Sequence, residues 1–240
     1  MSDPLHQFEV KQLIPINING IDLSFTNASL FMVLSVMCGL GMMWLLIRRQ
    51  LLIPNTTQSV GEAIFGFIHT TARDCIGDGY EKFFPFILSV FLMVFFGNFL
   101  GLFPYSFTFT SQLAPVGAFA LLGTVISVVV GIKTHGLKWF HTFFPAGVPV
   151  FMAPIIIPIE IFSFLAKPFS LTVRLVMNMI VGHILLKIVA GFVYSLGIAG
   201  FFPLLVVGVL ILFETFIALL QAYIYTTLTS IYIGEAVHSH

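Results

Sequence analysis

The chain has 240 residues, 58% of them hydrophobic and only 8% charged, with a formal net charge of zero. A soluble domain carries about 25% charged residues, so this composition and a mean hydropathy of +1.06 exclude one and describe an integral membrane protein. Neutrality also excludes the basic footprint of a nucleic-acid binder, and Cys38 and Cys75, without metal-like spacing, read as packing residues rather than a disulfide.

Residues 1–26 are mixed and polar, with Asp3, Glu9, Lys11 and Asp22. They lack the basic-then-apolar order of a secretory signal, and the segment is expected to stay on the mature chain, outside the membrane. The first span is expected over 27–47, behind the capping residues Ser24, Thr26 and Asn27. Arg48 and Arg49 follow at once, which by the positive-inside rule puts this end inside and the N-terminus outside.

Residues 54–76 start at a proline and repeat Val60, Ile64, Phe67 and Ile68 at helical spacing, but carry Glu62, His69, Arg73 and Asp74. They predict an amphipathic helix on the inner surface, the alternative being a partly inserted span packed on a neighbour. A second span is expected over 83–102. Its Gly97 and Gly101 suit close helix packing, and Asn98 suits either a water path or a bond to another helix. The polar stretch 104–112 reads as an outer turn, and 113–132 as the third span, returning to Lys133, His135, Lys138 and His141. Trp139 and Phe140 suit an interface, and Pro145, Gly147 and Pro149 break the chain.

The stretch 148–193 is long, apolar and helix-patterned, yet carries Glu160, Lys167, Arg174, Asn178, His183 and Lys187. An ionisable group at the bilayer centre costs roughly 2.5–3.5 kcal/mol on insertion scales, so a stretch that tolerates several reads as a pathway. As one helix it spans about 69 Å against about 30 Å of hydrocarbon. It must be steeply tilted or broken into two spans, with Pro154, Pro158 and Pro168 as bending points. Glu160, Lys167 and Arg174 are spaced by seven and share a face, with Ser163, Ser170 and Asn178 three or four residues from them. His183, nine residues after Arg174, points about half a turn away. One helix therefore presents two polar environments.

Gly197 and Gly200 mark a turn into the last apolar segment, 201–233, where Glu214, Gln221, Tyr225 and Tyr232 share one face with Thr229 at its edge. Two overlong helices joined by a short turn predict a tilted antiparallel hairpin. His183 and Glu214 lie at similar distances from the turn and can face each other as a proton relay. Lys187 suits snorkelling near the outer interface. Lys167 either snorkels or pairs with Glu160, and a purely structural Glu160–Lys167–Arg174 ladder is the competing reading. For Gln221, Tyr225 and Thr229, bonds between packed helices compete with a pathway role. Arg174 cannot shed its charge and has no acidic residue one helical turn away, so its counter-ion is expected on another chain.

The run SLTVRLVMNMIVGHILL, with IEIFSFLAKP before it, FETFIALLQAYIYTTLTSIYI after it and NFLGLFPYSFTFTSQ upstream, resembles subunit a of the rotary F-type ATP synthase over nearly the whole chain. The resemblance implies an all-α integral membrane protein: about five membrane helices, an amphipathic surface helix, and a final tilted hairpin, in a single membrane domain. It implies a proton-translocating stator beside a ring of c subunits, each with a mid-membrane carboxylate. Arg174 would be the essential arginine that attracts the ionised ring carboxylate and separates two aqueous half-channels. His183 and Glu214 would line the outer half-channel, Glu160 with Ser163 and Asn178 the inner one, and Gln221 would lie across from Arg174. Lys167, Ser170, Asn98 and Tyr225 are secondary candidates.

The resemblance further implies no catalytic chemistry, no cofactor and no metal. The implied partners are the c-ring, b-type peripheral stalk subunits, other membrane subunits of the synthase, and lipid. The His-then-Glu order at 183 and 214 resembles the mitochondrial and alphaproteobacterial branch. A start at Met running through DPLHQF favours a bacterium, and hence a multi-pass protein of an inner membrane with its C-terminus inside. The alternative function is a proton- or sodium-coupled secondary transporter, which would need internal repeats and broken half-helices; no repeat is visible. An intramembrane enzyme would need a nucleophile–base pair or a metal cluster, and none stands at a matching spacing.

Overall fold

A backbone in hydrocarbon must satisfy its own polar groups, which leaves helices as the solution for long apolar segments. A computed structural model of the chain describes residues 8–15, 17–18, 21–22, 24–47, 55–103, 106–143 and 150–238. Arg48, Arg49, Pro54, Pro104, Pro145, Gly147, Val148, Pro149 and the side chain of Phe140 lie outside the described residues. The described residues are overwhelmingly helical: α1 (Asn27–Ile47), α2 (Thr56–Ile76), α3 (Phe84–Gly101), α4 (Leu113–His135), α5 (Ala153–Ser195) and α6 (Phe201–Val237). All but α2 are long and apolar enough to cross a membrane. The chain is thus an all-α multi-pass membrane protein.

The polar N-terminal segment also folds. Strand β1 (Gln12–Ile14) pairs antiparallel with β4 (Phe25–Thr26), and β2 (Asn17–Ile18) with β3 (Ile21–Asp22). Asn27 ties this hairpin to α1: its Nδ2 donates to the Glu9 carbonyl and its Oδ1 accepts from the Lys11 amide, both at 3.1 Å.

Helix α3 is the hub. Buried residues fill 44% of its apolar window, against 11% for each of α1, α5 and α6. It packs on α1 and α6, and its Ile87, Leu88 and Phe91 join Val116 of α4, Leu175 of α5 and Tyr225 of α6 in one core. Helix α2 turns Ile68, Ala72 and Ile76 into that core and leaves Glu62, Arg73 and Asp74 exposed. It rests on α6, where Gly234 lets the Cys75 backbone carbonyl approach. Both cysteines are free. Trp139, expected at an interface, is instead buried against α4, edge-on to Phe143 and Phe164, because Gly131 leaves room for the indole.

One expectation about local packing changes, and one choice left open is resolved. The Gly97/Gly101 pair does not receive a helix. It receives the segment Phe107–Ser111, all of it buried: a Cβ on Gly97 would meet the Phe109 ring at 2.6 Å, and one on Gly101 would meet the Thr108 side chain. The stretch read as an outer polar turn is therefore a folded-in plug between α3, α4 and α5. And α5 is not broken. Its 43 residues form one helix through Pro158 and Pro168.

Helices α5 and α6 pack antiparallel through a 3-10 turn at Gly197–Gly200, where Gly197 adopts a φ of +54°. Their 43 and 37 residues span roughly 65 and 55 Å at 1.5 Å per residue, about twice the hydrocarbon thickness. Both are largely apolar along a length greater than one perpendicular crossing needs.

Candidate functional site

Helix α6 is inside out relative to a soluble amphipathic helix. Its buried face holds Glu214, Gln221, Tyr225, Thr226, Thr229 and Ser230, while Val209, Leu212, Phe213 and Phe216 are exposed. In lipid this is the favourable arrangement: apolar side chains meet acyl chains and polar ones meet each other. The polar groups then fall into three places along the hairpin.

Nearest the turn, His183 Nδ1 lies 3.4 Å from Glu214 Oε1. The other ring nitrogen, Nε2, is 3.2 Å from the hydroxyl of Thr108 in the plug. Glu214 is only 5% exposed, and neither of its carboxylate oxygens has a hydrogen-bond partner among the described residues. Gly182 makes this possible, since a Cβ there would stand 2.8 Å from Glu214 Oε1. The Phe8 ring sits beside His183, 6.2 Å between centroids, and Gln112 Nε2 holds the Phe8 carbonyl at 2.9 Å.

In the middle, Asn178 Nδ2 donates to Gln221 Oε1 at 3.1 Å. Gln221 thus faces Asn178, one helical turn from Arg174. Asn98 of α3 donates to the Ala218 carbonyl of α6 at 3.2 Å, which brings a third helix to this level. Buried atoms left without a partner include Asn98 Oδ1, Gln221 Nε2, Tyr225 Oη and, in the plug, Thr110 Oγ1. Each such group costs about 1–3 kcal/mol if nothing satisfies it, and Gln221 and Tyr225 of α6, with Asn98 of α3 bonded to the same helix, mark a polar seam. Arg174 lies on the other side. It is exposed and makes no hydrogen bond or ion pair among the described residues, on a face shared with the exposed Met177 and Val181.

At the end far from the turn, Lys167 Nζ binds Glu235 Oε2 at 2.5 Å and lies 5.1 Å from the centre of the Tyr232 ring. This contact is a third outcome beside the two readings of Lys167, snorkelling or pairing with Glu160. Residues seven apart are about 10.5 Å apart along a helix, whereas Glu235 on α6 stands directly opposite. Glu160 instead lines a cavity of about 390 Å³ with Lys167, Glu235, Tyr232, Ser127 and Thr124. Asn178, 18 residues further along α5, lies about 27 Å from Glu160 along the axis and does not reach this cavity. Ser163 and Ser170 are exposed.

Three residues of the site escaped sequence reading. Glu235 was cut off because hydropathy ends the segment at Ile233, yet it continues the seven-residue spacing of Glu214 and Gln221. Thr108 sits in a stretch with no periodicity to signal burial. Gly182 carries no polar group, so nothing in the sequence marks it as the space that Glu214 fills.

The sequence profile described as ATP synthase A chain matches residues 29–234. The "ATP synthase subunit a" of Rhodospirillum rubrum is 46% identical over 241 residues, covering all of both chains. The "ATP synthase subunit a 1" of Brucella anthropi is 48% identical over 246 residues, covering 99% of this chain and 98% of the relative. The "ATP synthase subunit a" of Brucella ovis is 47% identical with the same coverage. The chain belongs to the ATP synthase A chain family. Members of this family are the membrane proton-channel subunit and are not themselves catalytic. Among the described residues no cluster of His, Cys, Asp and Glu has the arrangement to hold a metal ion.

Proposed function

We propose that this chain is the proton-translocating stator subunit of a rotary ATP synthase, with two offset aqueous half-channels separated by Arg174. The observation that carries the proposal is the contrast on α5: a permanently charged side chain exposed and unpaired on an apolar face, beside a buried seam of relay groups that it does not join. A guanidinium in hydrocarbon needs an anion or water. The hairpin supplies no carboxylate to Arg174, so the anion belongs to a partner: the mid-membrane carboxylate of a c-ring.

His183 and Glu214 form the relay of the outer half-channel, with the N-terminus outside and the C-terminus inside, in an inner membrane. Glu160, joined by Glu235 across the cavity, serves the inner half-channel. Asn178, Gln221, Asn98 and Tyr225 line the polar seam between them, and Ser163, Lys167 and Ser170 contribute at the inner side. A proton entering through His183 and Glu214 neutralises a ring carboxylate that has just left Arg174. The neutral carboxyl crosses lipid without the charge penalty. After nearly a full turn it releases its proton towards Glu160 and is drawn back to Arg174. Each charge crossing the membrane is biased by about 2.3 kcal/mol per 100 mV. The overlong tilted hairpin matches this role by lying along a curved partner; b-type stalk subunits and other membrane subunits take the remaining faces.

Purification of the tagged chain from its native membrane in mild detergent tests the assignment. Recovery of an oligomeric ring of small two-helix subunits is expected. Recovery of the chain alone, with solute uptake after reconstitution, would establish the secondary-transporter alternative.

A further inference from the structure

We infer that Thr108 is the positioning residue of His183, holding the imidazole so that Nδ1 rather than Cδ2 faces Glu214. The inference rests on the His183–Glu214 relay proposed above and adds a residue from a different part of the chain. A ring that turns by half a revolution about its Cβ–Cγ bond puts Cδ2 where Nδ1 was and Cε1 where Nε2 was, and so moves both nitrogens away from their partners. Something must choose between the two orientations. Glu214 does not, because its contact with Nδ1 is 3.4 Å and neither of its oxygens has a hydrogen-bond partner among the described residues. Thr108 does, with its hydroxyl 3.2 Å from Nε2.

The support behind Thr108 is unusually complete for a loop residue. The side chain is 5% exposed. Its carbonyl accepts from the Ser111 hydroxyl at 2.6 Å, which pins the backbone, and its own hydroxyl reaches the Gly101 carbonyl at 3.5 Å. Gly101 has no Cβ in the space Thr108 fills. The hydroxyl also suits both charge states of a relay. It accepts from Nε2–H when the ring is cationic, and it can donate to or accept from a neutral ring. The charged groups that face the ring are Glu214 from α6 and Lys187 from α5 itself; the plug contributes the hydroxyl.

The test uses the whole complex in inverted vesicles and compares ATP-driven proton pumping across pH for Thr108→Val, Thr108→Ser, His183→Ala and the Thr108→Val/His183→Ala pair. Thr108→Val should lower pumping about three- to tenfold, the scale of one lost hydrogen bond, and displace its pH optimum towards acid. Thr108→Ser should restore both. Thr108→Val should add nothing in the His183→Ala background. Equal impairment by Thr108→Ser and Thr108→Val would overturn the inference, since the hydroxyl would not matter; so would an undiminished effect of Thr108→Val without His183. Normal pumping by His183→Ala would instead sink the relay itself. Should Thr108→Val reduce the assembled complex, Gly101→Ala displaces the hydroxyl while keeping it. The same acid displacement is then expected, and an unchanged profile counts against the positioning role.

Discussion

The two ends of the α5–α6 hairpin handle charge in opposite ways. Near the turn, His183 and Glu214 are buried beside Thr108 of the plug and Phe8, and the carboxylate is left without a hydrogen bond among the described residues. At the far end, Lys167 and Glu235 are 33% and 55% exposed, already ion-paired, and border a cavity that also reaches Glu160. The difference teaches what each end can do. The near end buries a His–Glu pair within reach of each other and of a plug hydroxyl, whereas the far end holds a half-exposed ion pair at the edge of a cavity. Arg174 stands between them, about 13.5 Å along the axis from His183 and about 10.5 Å from Lys167, and makes no hydrogen bond or ion pair with either among the described residues, though its charge reaches Tyr232 at the far end.

That contrast sets the order of expected effects. Arg174→Ala should abolish ATP-driven proton pumping in inverted vesicles while leaving the amount of assembled complex unchanged, because the side chain is exposed and makes no bond within the described residues. Pumping near the normal rate would break the comparison at its centre. Removing His183 and Glu214 together should cut pumping roughly a hundredfold, the scale of a lost proton-transfer group. Exchanging the two residues should retain more transport than removing both; equal loss would argue against a shared relay. Lys167→Ala should matter least. A half-exposed ion pair contributes about 1 kcal/mol or less, so thermal inactivation of the complex should change by no more than a few degrees and pumping by less than about twofold. A loss as deep as that of the His183–Glu214 variant would erase the distinction between the ends.

Much of this was legible in the chain. Composition and hydropathy determine an all-helical membrane protein, because lipid leaves apolar segments no other way to satisfy their backbones. The seven-residue spacing of Glu214 and Gln221 marks the buried face of α6, and the half-turn offset of His183 from Arg174 separates exposed from buried polar groups on α5. What was not legible depends on contacts far apart in sequence. The glycines of α3 admit a loop, not a helix, and nothing periodic distinguishes the two. The partner of Lys167 lies 68 residues away, beyond the point where hydropathy ends the helix. The plug reads as a polar turn because only the packing of α3, α4 and α5 around it buries it.

The central claim is that the two ends open to opposite sides of the membrane, and sidedness of access measures it most directly. In a chain whose Cys38 and Cys75 are replaced by alanine, Thr110→Cys reports the turn end and Thr124→Cys the far cavity. Brief exposure to silver ion, applied to right-side-out or inverted vesicles, should inactivate Thr110→Cys only from the outer face and Thr124→Cys only from the inner face. Inactivation of both from the same face would contradict the account.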